Sequence, residues 1–171
     1  WMMVKKSKSL IKCIQNPTLQ VQLFALSTNG YNIGYIREPS LIAQMAAVKH
    51  NLDSICQIKN PAKEVIDYVL SVDGHKLFYL KNKTTKEQKY LAVKRSPGAI
   101  RYIENPGVEL QLSAVVADPY CISVIKNPCR KVQEYMITNH THLLMVYHTL
   151  YDDIQLDVVR RNPDNIFKPC F

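Results

Sequence analysis

The chain has 171 residues, 47% hydrophobic and 21% charged, which excludes a disordered tail and leaves enough apolar material for a core. Five glycines are too few for the turns of a β-sandwich or barrel, and they leave little for a phosphate-cradling loop. The 22 lysines and arginines outnumber the 14 acids by 8, a balance that favours acidic partners without choosing among nucleic acid, an anionic membrane and an acidic protein.

Cys13, Cys56, Cys121, Cys129 and Cys170 are irregularly spaced and form no C-x-x-C, so free thiols in a reducing compartment are expected. No apolar run approaches the ~18 residues of a membrane span. The opening WMMVKKSKSLIKCI lacks the long apolar stretch of a secretory signal, so no secretory signal is expected. A start at Trp1 is expected to lie inside a longer protein.

The first recurring word, IQNP, ends at Pro17; IKNP ends at Pro61 and again at Pro128, and IENP at Pro106. Pro17, Pro39 and Pro61 are 22 apart, as are Pro106 and Pro128, with one extra residue before Thr84. Residues 1–16 therefore read as the second half of a preceding repeat. Residues 17–171 read as an array of seven units of 22–23 residues, starting at 17, 39, 61, 84, 106, 128 and 150.

Numbering each unit from its first residue aligns five columns. Position five reads Val21, Ala43, Val65, Gln88, Leu110, Val132, Ile154. Position nine reads Ala25, Ala47, Val69, Ala92, Ala114, Met136, Val158, and position ten Leu26, Val48, Leu70, Val93, Val115, Ile137, Val159. Position seventeen reads Ile33, Ile55, Leu77, Ile100, Ile122, Leu144, Ile166, and position twenty Ile36, Ile58, Leu80, Ile103, Ile125, Tyr147, Pro169. Only Gln88 and Pro169 break the pattern.

Apolar residues at five, nine and ten predict a first helix of ~10–11 residues, and the pair at seventeen and twenty a second of ~8. Asn16-Pro17, Asn60-Pro61, Asn105-Pro106 and Asn127-Pro128 predict an N-cap followed by proline in the first turn, and Thr84 with Glu87 predicts a capping box in place of proline. Asn51, Ser96-Pro97, Asp118-Pro119 and Asn162-Pro163 give the second helix the same grammar. Such short helices are marginal alone and must bury their stripes against neighbours. The expected fold is all-α, an α-solenoid of about seven two-helix repeats.

The words Met45-Ala46-Ala47-Val48-Lys49-His50-Asn51, Tyr90-Leu91-Ala92-Val93-Lys94-Arg95-Ser96 and Leu112-Ser113-Ala114-Val115-Val116-Ala117-Asp118 resemble the repeats called domain of unknown function 4116. The likeness runs from about Pro17 to Phe167. It implies an interaction scaffold of a kind found in giant viruses, protists and bacteria, a viral structural or accessory protein that is cytoplasmic or virion-associated, with no catalytic residues to carry over.

Position twenty-one carries Arg37, Lys59, Lys81, Glu104, Lys126 and His148, and positions eleven and twelve add Lys49-His50, Lys94-Arg95 and Arg160-Arg161. Aligned in a stack, these cations form a possible basic binding edge for a phosphate backbone or an acidic protein. The same cations suit helix C-termini, which is the simpler reading. Tyr35, Tyr79 and Tyr102 recur at position nineteen, with Tyr31, Phe78, Tyr120 and Phe167 elsewhere; packing between helices is expected over stacking on single-stranded bases. His140, His142 and His148 lack a fourth partner for zinc. Asp152 and Asp153 suit a helix first turn, and no nucleotide-binding, hydrolase or metalloprotease motif occurs.

No catalytic, cofactor-binding or metal-ligating residue is therefore expected, and no small-molecule substrate. The partner is expected to be another protein or further copies of the chain, with nucleic acid as the alternative. Ala114→Asp is predicted to unfold the central repeats, because it sets an unpaired carboxylate between packed helices. A collapsed melting temperature is the expected reading, and a near-native one would show that position nine is not buried.

Overall fold

The structure, a computed structural model, describes residues 10–80, 83–144 and 150–161, with nothing stated of the Leu144 side chain. It is all-α, and no strand occurs among the described residues. Seven ten-residue α-helices open the repeats: α1 Leu19–Thr28, α2 Leu41–His50, α3 Lys63–Val72, α4 Lys86–Arg95, α5 Val108–Ala117, α6 Arg130–Asn139 and α7 Asp152–Arg161. The chain divides into two compact units, Trp1–Leu91 and Ala92–Phe171.

In four repeats the second element is not the expected α-helix, whereas in the sixth a short α-helix, Thr141–Leu144, stands there. The four have a six-residue 3-10 helix, at Gly30–Tyr35, Leu52–Gln57, Pro97–Tyr102 and Pro119–Val124. In the third repeat it begins as 3-10 at Gly74–Lys76 and ends as one α turn, Leu77–Leu80. Leu10–Cys13 is a further 3-10 segment where half a repeat was expected. The cause is local. Asn29, Asn51, Asp73 and Asp118 each accept a hydrogen bond from the backbone N–H two residues on, at 2.9–3.0 Å, which turns the chain sharply after the α-helix. The following peptides then bond to the third residue back, as Asn32 N–H does to Asn29 O at 3.0 Å. With three residues per turn, positions seventeen and twenty eclipse on one face.

The columns are buried as their chemistry demands. Position nine is fully buried from Ala25 to Met136, and position ten is at most 4% exposed from Leu26 to Ile137. Ile33, Ile55, Leu77, Ile100 and Ile122 are at most 2% exposed at position seventeen. Val159, in the last described helix, is 40% exposed. Tyr147, Ile166 and Pro169, like the cap at Asn162-Pro163, lie outside the described residues.

Within the first unit α1 packs on α2 and α2 on α3, while the 3-10 helix of the first repeat meets that of the second. Within the second unit α5 packs on α6 and α6 on α7, and Pro97–Tyr102 meets Pro119–Val124. Gly30 is fixed by this closeness: a Cβ there would sit 2.6 Å from the Ala47 carbonyl oxygen and 2.4 Å from Ser54 Oγ.

The Asn-Pro words do not cap the α-helices as expected. The helices start two residues later, with Thr18, Ser40, Ala62, Gly107 and Cys129 at the N-cap and proline one place before it. Each of these N-cap residues is extended, and with the proline before it forms a two-residue step that leads into the α-helix.

A glutamine at position six secures that step. Its Nε2 donates to the carbonyl of position one of its own repeat: Gln22 to Pro17 O at 2.9 Å, Gln44 to Pro39 O at 3.0 Å, Gln111 to Pro106 O at 2.8 Å and Gln133 to Pro128 O at 3.0 Å. In three of the four, Oε1 accepts the N–H of position two of the next repeat: Ala62 to Gln44 at 2.9 Å, Cys129 to Gln111 at 2.8 Å and Tyr151 to Gln133 at 3.1 Å, whereas Gln22 Oε1 is buried without a partner among the described residues.

The third repeat has Ile66 at this position, and it is followed by the inserted residue. There the N–H of Thr85 goes to Gln88 Oε1 at 3.1 Å, while Gln88 N–H donates to Thr85 Oγ1 at 3.3 Å. The capping box therefore pairs Thr85 with Gln88, not Thr84 with Glu87. Gln88 Nε2 also reaches back to Asp67 Oδ1 at 2.7 Å. The residue that broke the fifth column restores the link that Ile66 omits.

Gln111→Leu leaves the Pro106 carbonyl and the Cys129 N–H without their partner, and it should cost about 1–3 kcal/mol in urea unfolding. Gln155, exposed in the last described helix, makes only the bond to Leu150 O at 2.8 Å, so Gln155→Leu should stay within about 0.5 kcal/mol. Equal effects would contradict the linking role.

Candidate functional site

The 3-10 geometry that turns positions seventeen and twenty inward turns fifteen, eighteen and nineteen outward. In the first unit these are Tyr31, Gly34 and Tyr35, then Asp53, Cys56 and Gln57, then His75, Phe78 and Tyr79. Tyr31 is 38% exposed, Tyr35 54%, Phe78 53% and Tyr79 40%. The expectation that these aromatics pack between helices is overturned. Tyr120, at the equivalent place in the second unit, is also exposed, and Tyr102 is half-buried. Phe167 lies outside the described residues.

Phe78 and Tyr79 hold each other edge to face with centroids 5.3 Å apart. Burial pushes the Tyr31 hydroxyl above its ordinary value, and the neighbouring Asp53, Cys56 and Tyr79 add to this, so Tyr31 and Tyr79 share one field across two repeats. Between Tyr31 and Tyr35 lies a cleft of about 220 Å³, lined also by Asn29, Asn32, Gly34 and Gln57. A Cβ on Gly34 would stand 2.9 Å from Gln57 Oε1, so the missing side chain is what lets the amide lean over the cleft floor.

Beside the aromatics, Lys76 Nζ bridges Asp53 Oδ1 at 2.6 Å and Asp73 Oδ2 at 3.5 Å, joining the second repeat to the third. The bond to Asp53 raises the lysine above its ordinary value against the opposing effect of burial. Burial alone would raise the Asp73 carboxyl. The N–H and ring of His75 and the Lys76 ammonium outweigh it and hold the group below the ordinary carboxylate range.

The proposed basic residues fall into two rows. Lys49, Lys94, Arg95, Arg160 and Arg161 close α-helices, whereas Arg37, Lys59 and Lys126 follow the 3-10 helices. All eight are exposed, and Lys81 and His148 lie outside the described residues. A six-residue 3-10 helix spans about 12 Å at ~2 Å per residue, so the two rows sit at opposite ends of it within a repeat. The Lys49 ammonium lies over the Tyr68 ring at 5.9 Å, and Arg160 stands 4.0 Å from Asp157. In the second unit a cleft of about 480 Å³ between successive turns carries both Glu104 and Lys126 on its lips, with Arg101 beside them.

Cys13, Cys56, Cys121 and Cys129 are free thiols; Cys170 lies outside the described residues. Burial and the Asp118 carboxylate push Cys121 up to about 12, so it stays a neutral thiol. His140 and His142 stack with centroids 6.4 Å apart, and no group of three metal-ligating side chains occurs among the described residues. No helix there is long and apolar enough to cross a membrane. The acidic first turn of α7 is present as expected, with Asp153 paired to Arg130. No family model matches the chain, and neither a curated protein nor a solved structure does.

Because Asp73 is depressed in the folded state, its contribution is present above the ordinary carboxylate value of ~4 and is lost as pH falls through the lower folded value. Asp73→Asn keeps an acceptor for the His75 N–H and removes the charge. Thermal melts should show a flatter acid limb for the variant, and superimposable limbs would remove the ion cluster from the account.

Proposed function

We propose that this chain is a non-catalytic helical-repeat scaffold that meets another protein through the outer face of the short second helices of its repeats. The observation that carries this reading is the exposure of Tyr31, Tyr35, Phe78 and Tyr79 on that face while the repeat columns are buried. Large aromatics on rigid short helices offer contact area at low conformational cost, and they are the residues that dominate protein interfaces. The likeness of the repeat words to those found in giant viruses supports a structural or accessory role in such a setting. An α-solenoid running along the repeats is the arrangement the neighbour packing within each unit supports.

The second reading is polyanion binding. Exposed cations close α4 and α7, and the net charge of +8 supports it. Glu104, beside Lys126 on the lips of the larger cleft, opposes it.

Two measurements separate these readings. Protein captured from source-cell lysate, once identified, should bind the Tyr35→Ser/Phe78→Ser variant at least ~10-fold more weakly than wild type. Unchanged affinity would overturn the aromatic face. Random-sequence DNA and RNA should show no binding at low salt, and binding with a steep salt slope would promote the polyanion reading instead.

A further inference from the structure

The cleft between Tyr31 and Tyr35 has properties that narrow the chemistry of its occupant. Its walls are two tyrosines fixed on one short helix. Its floor is Gly34, where the other repeats carry Cys56, Phe78, Arg101 and Ser123. Its rim holds the amides of Asn29 and Gln57, and Gln57 Nε2, with two N–H groups, makes one bond, to Cys56 Sγ at 3.5 Å, among the described residues.

None of the six lining residues carries a charge, and the nearby Lys76 is engaged by Asp53 and Asp73. A phosphate or carboxylate would find no cation there. An amphipathic helix would set aliphatic side chains against hydroxyls and amides. What matches is an uncharged segment with flat apolar rings and backbone carbonyls that need donors.

We propose that this cleft binds a proline-rich segment of a partner protein in the polyproline II conformation. Proline rings would lie against the tyrosine faces, and the tyrosine hydroxyls and the Gln57 amide would donate to the segment's carbonyls. Proline has no N–H to satisfy, and its extended form is already set before binding, so little order is lost. Phe78 and Tyr79 continue the aromatic surface two repeats along, within the same unit. Helices packed about 8–10 Å apart place them roughly 16–20 Å away, which five or six residues at ~3.1 Å each would cover.

The inference rests on the scaffold reading but can fail without it. The test is a titration of the isotope-labelled full chain with end-blocked decaproline, followed by amide chemical shifts. Saturable shifts at Tyr31, Gly34, Tyr35 and Gln57 are expected. Gly34→Leu, which fills the cleft, and Tyr35→Ala should each weaken binding at least ~10-fold with the melting temperature unchanged. If Gly34→Leu fails to fold, Tyr35→Ala carries the test alone. The proposal is overturned if decaproline gives no saturable shifts at millimolar concentration, if a glycine-serine decapeptide binds equally well, or if the folded variants bind like wild type. Should decaproline fail while Tyr35→Ser/Phe78→Ser still loses the captured partner, the cleft proposal falls and the scaffold reading stands.

Discussion

Each repeat must carry the chain through a two-residue extended step without leaving its half-buried peptide groups unpaired. The position-six glutamine answers this with both ends of one amide, donating to the step that opens its own repeat and accepting from the step that opens the next. Gln44, Gln111 and Gln133 do so with bonds of 2.8–3.1 Å. A leucine would fill the same space and leave two backbone groups stranded. The apolar columns supply most of the burial, but hydrophobic contact is non-directional. The amide link adds the direction, because it fixes which turn faces which helix.

The repeat length follows from the order of the elements. The α-helix must end in time for the Asn or Asp turn, and only six residues remain before the next step. Six residues of 3-10 helix rise about 12 Å against about 9 Å for α, which brings the short partner closer to the ~15 Å of the ten-residue helix. The tighter winding then sorts the side chains. Positions seventeen and twenty go inward, and fifteen, eighteen and nineteen go to the surface, where the sequence is free to serve a partner. The tyrosine cleft is a product of that freedom, since Gly34 is tolerated only where no packing is required of its side chain.

Much of this was legible in the sequence. The seventeen-and-twenty pair is one turn of a 3-10 helix as well as an α-helical i, i+3 pair, and spacing alone does not separate the two. The backbone bonds to the third residue back, as from Ala99 N–H to Ser96 O, show which of the two forms, and they need coordinates to be seen. The prolines marked the junctions correctly but sat one place ahead of the N-cap, because an extended N-cap and its proline together form the step. Gln88 and Ile66 each looked like noise in a column. Only the shared N–H of Thr85 shows that one compensates the other. The aromatics were misjudged because positions fifteen, eighteen and nineteen lie away from the buried pair at seventeen and twenty in either kind of helix, as Phe78 and Tyr79 do in their α turn. The cations sorted into two rows because the ends of two successive short helices are close in sequence and apart in space.

The most direct test of the linked-repeat account is amide hydrogen exchange at Ala62, Cys129 and Tyr151, whose N–H groups leave the helices and end on a glutamine of the preceding repeat. The account predicts protection at these turn residues comparable to that of the helix interiors beside them. Exchange as fast as that of an exposed turn would contradict it.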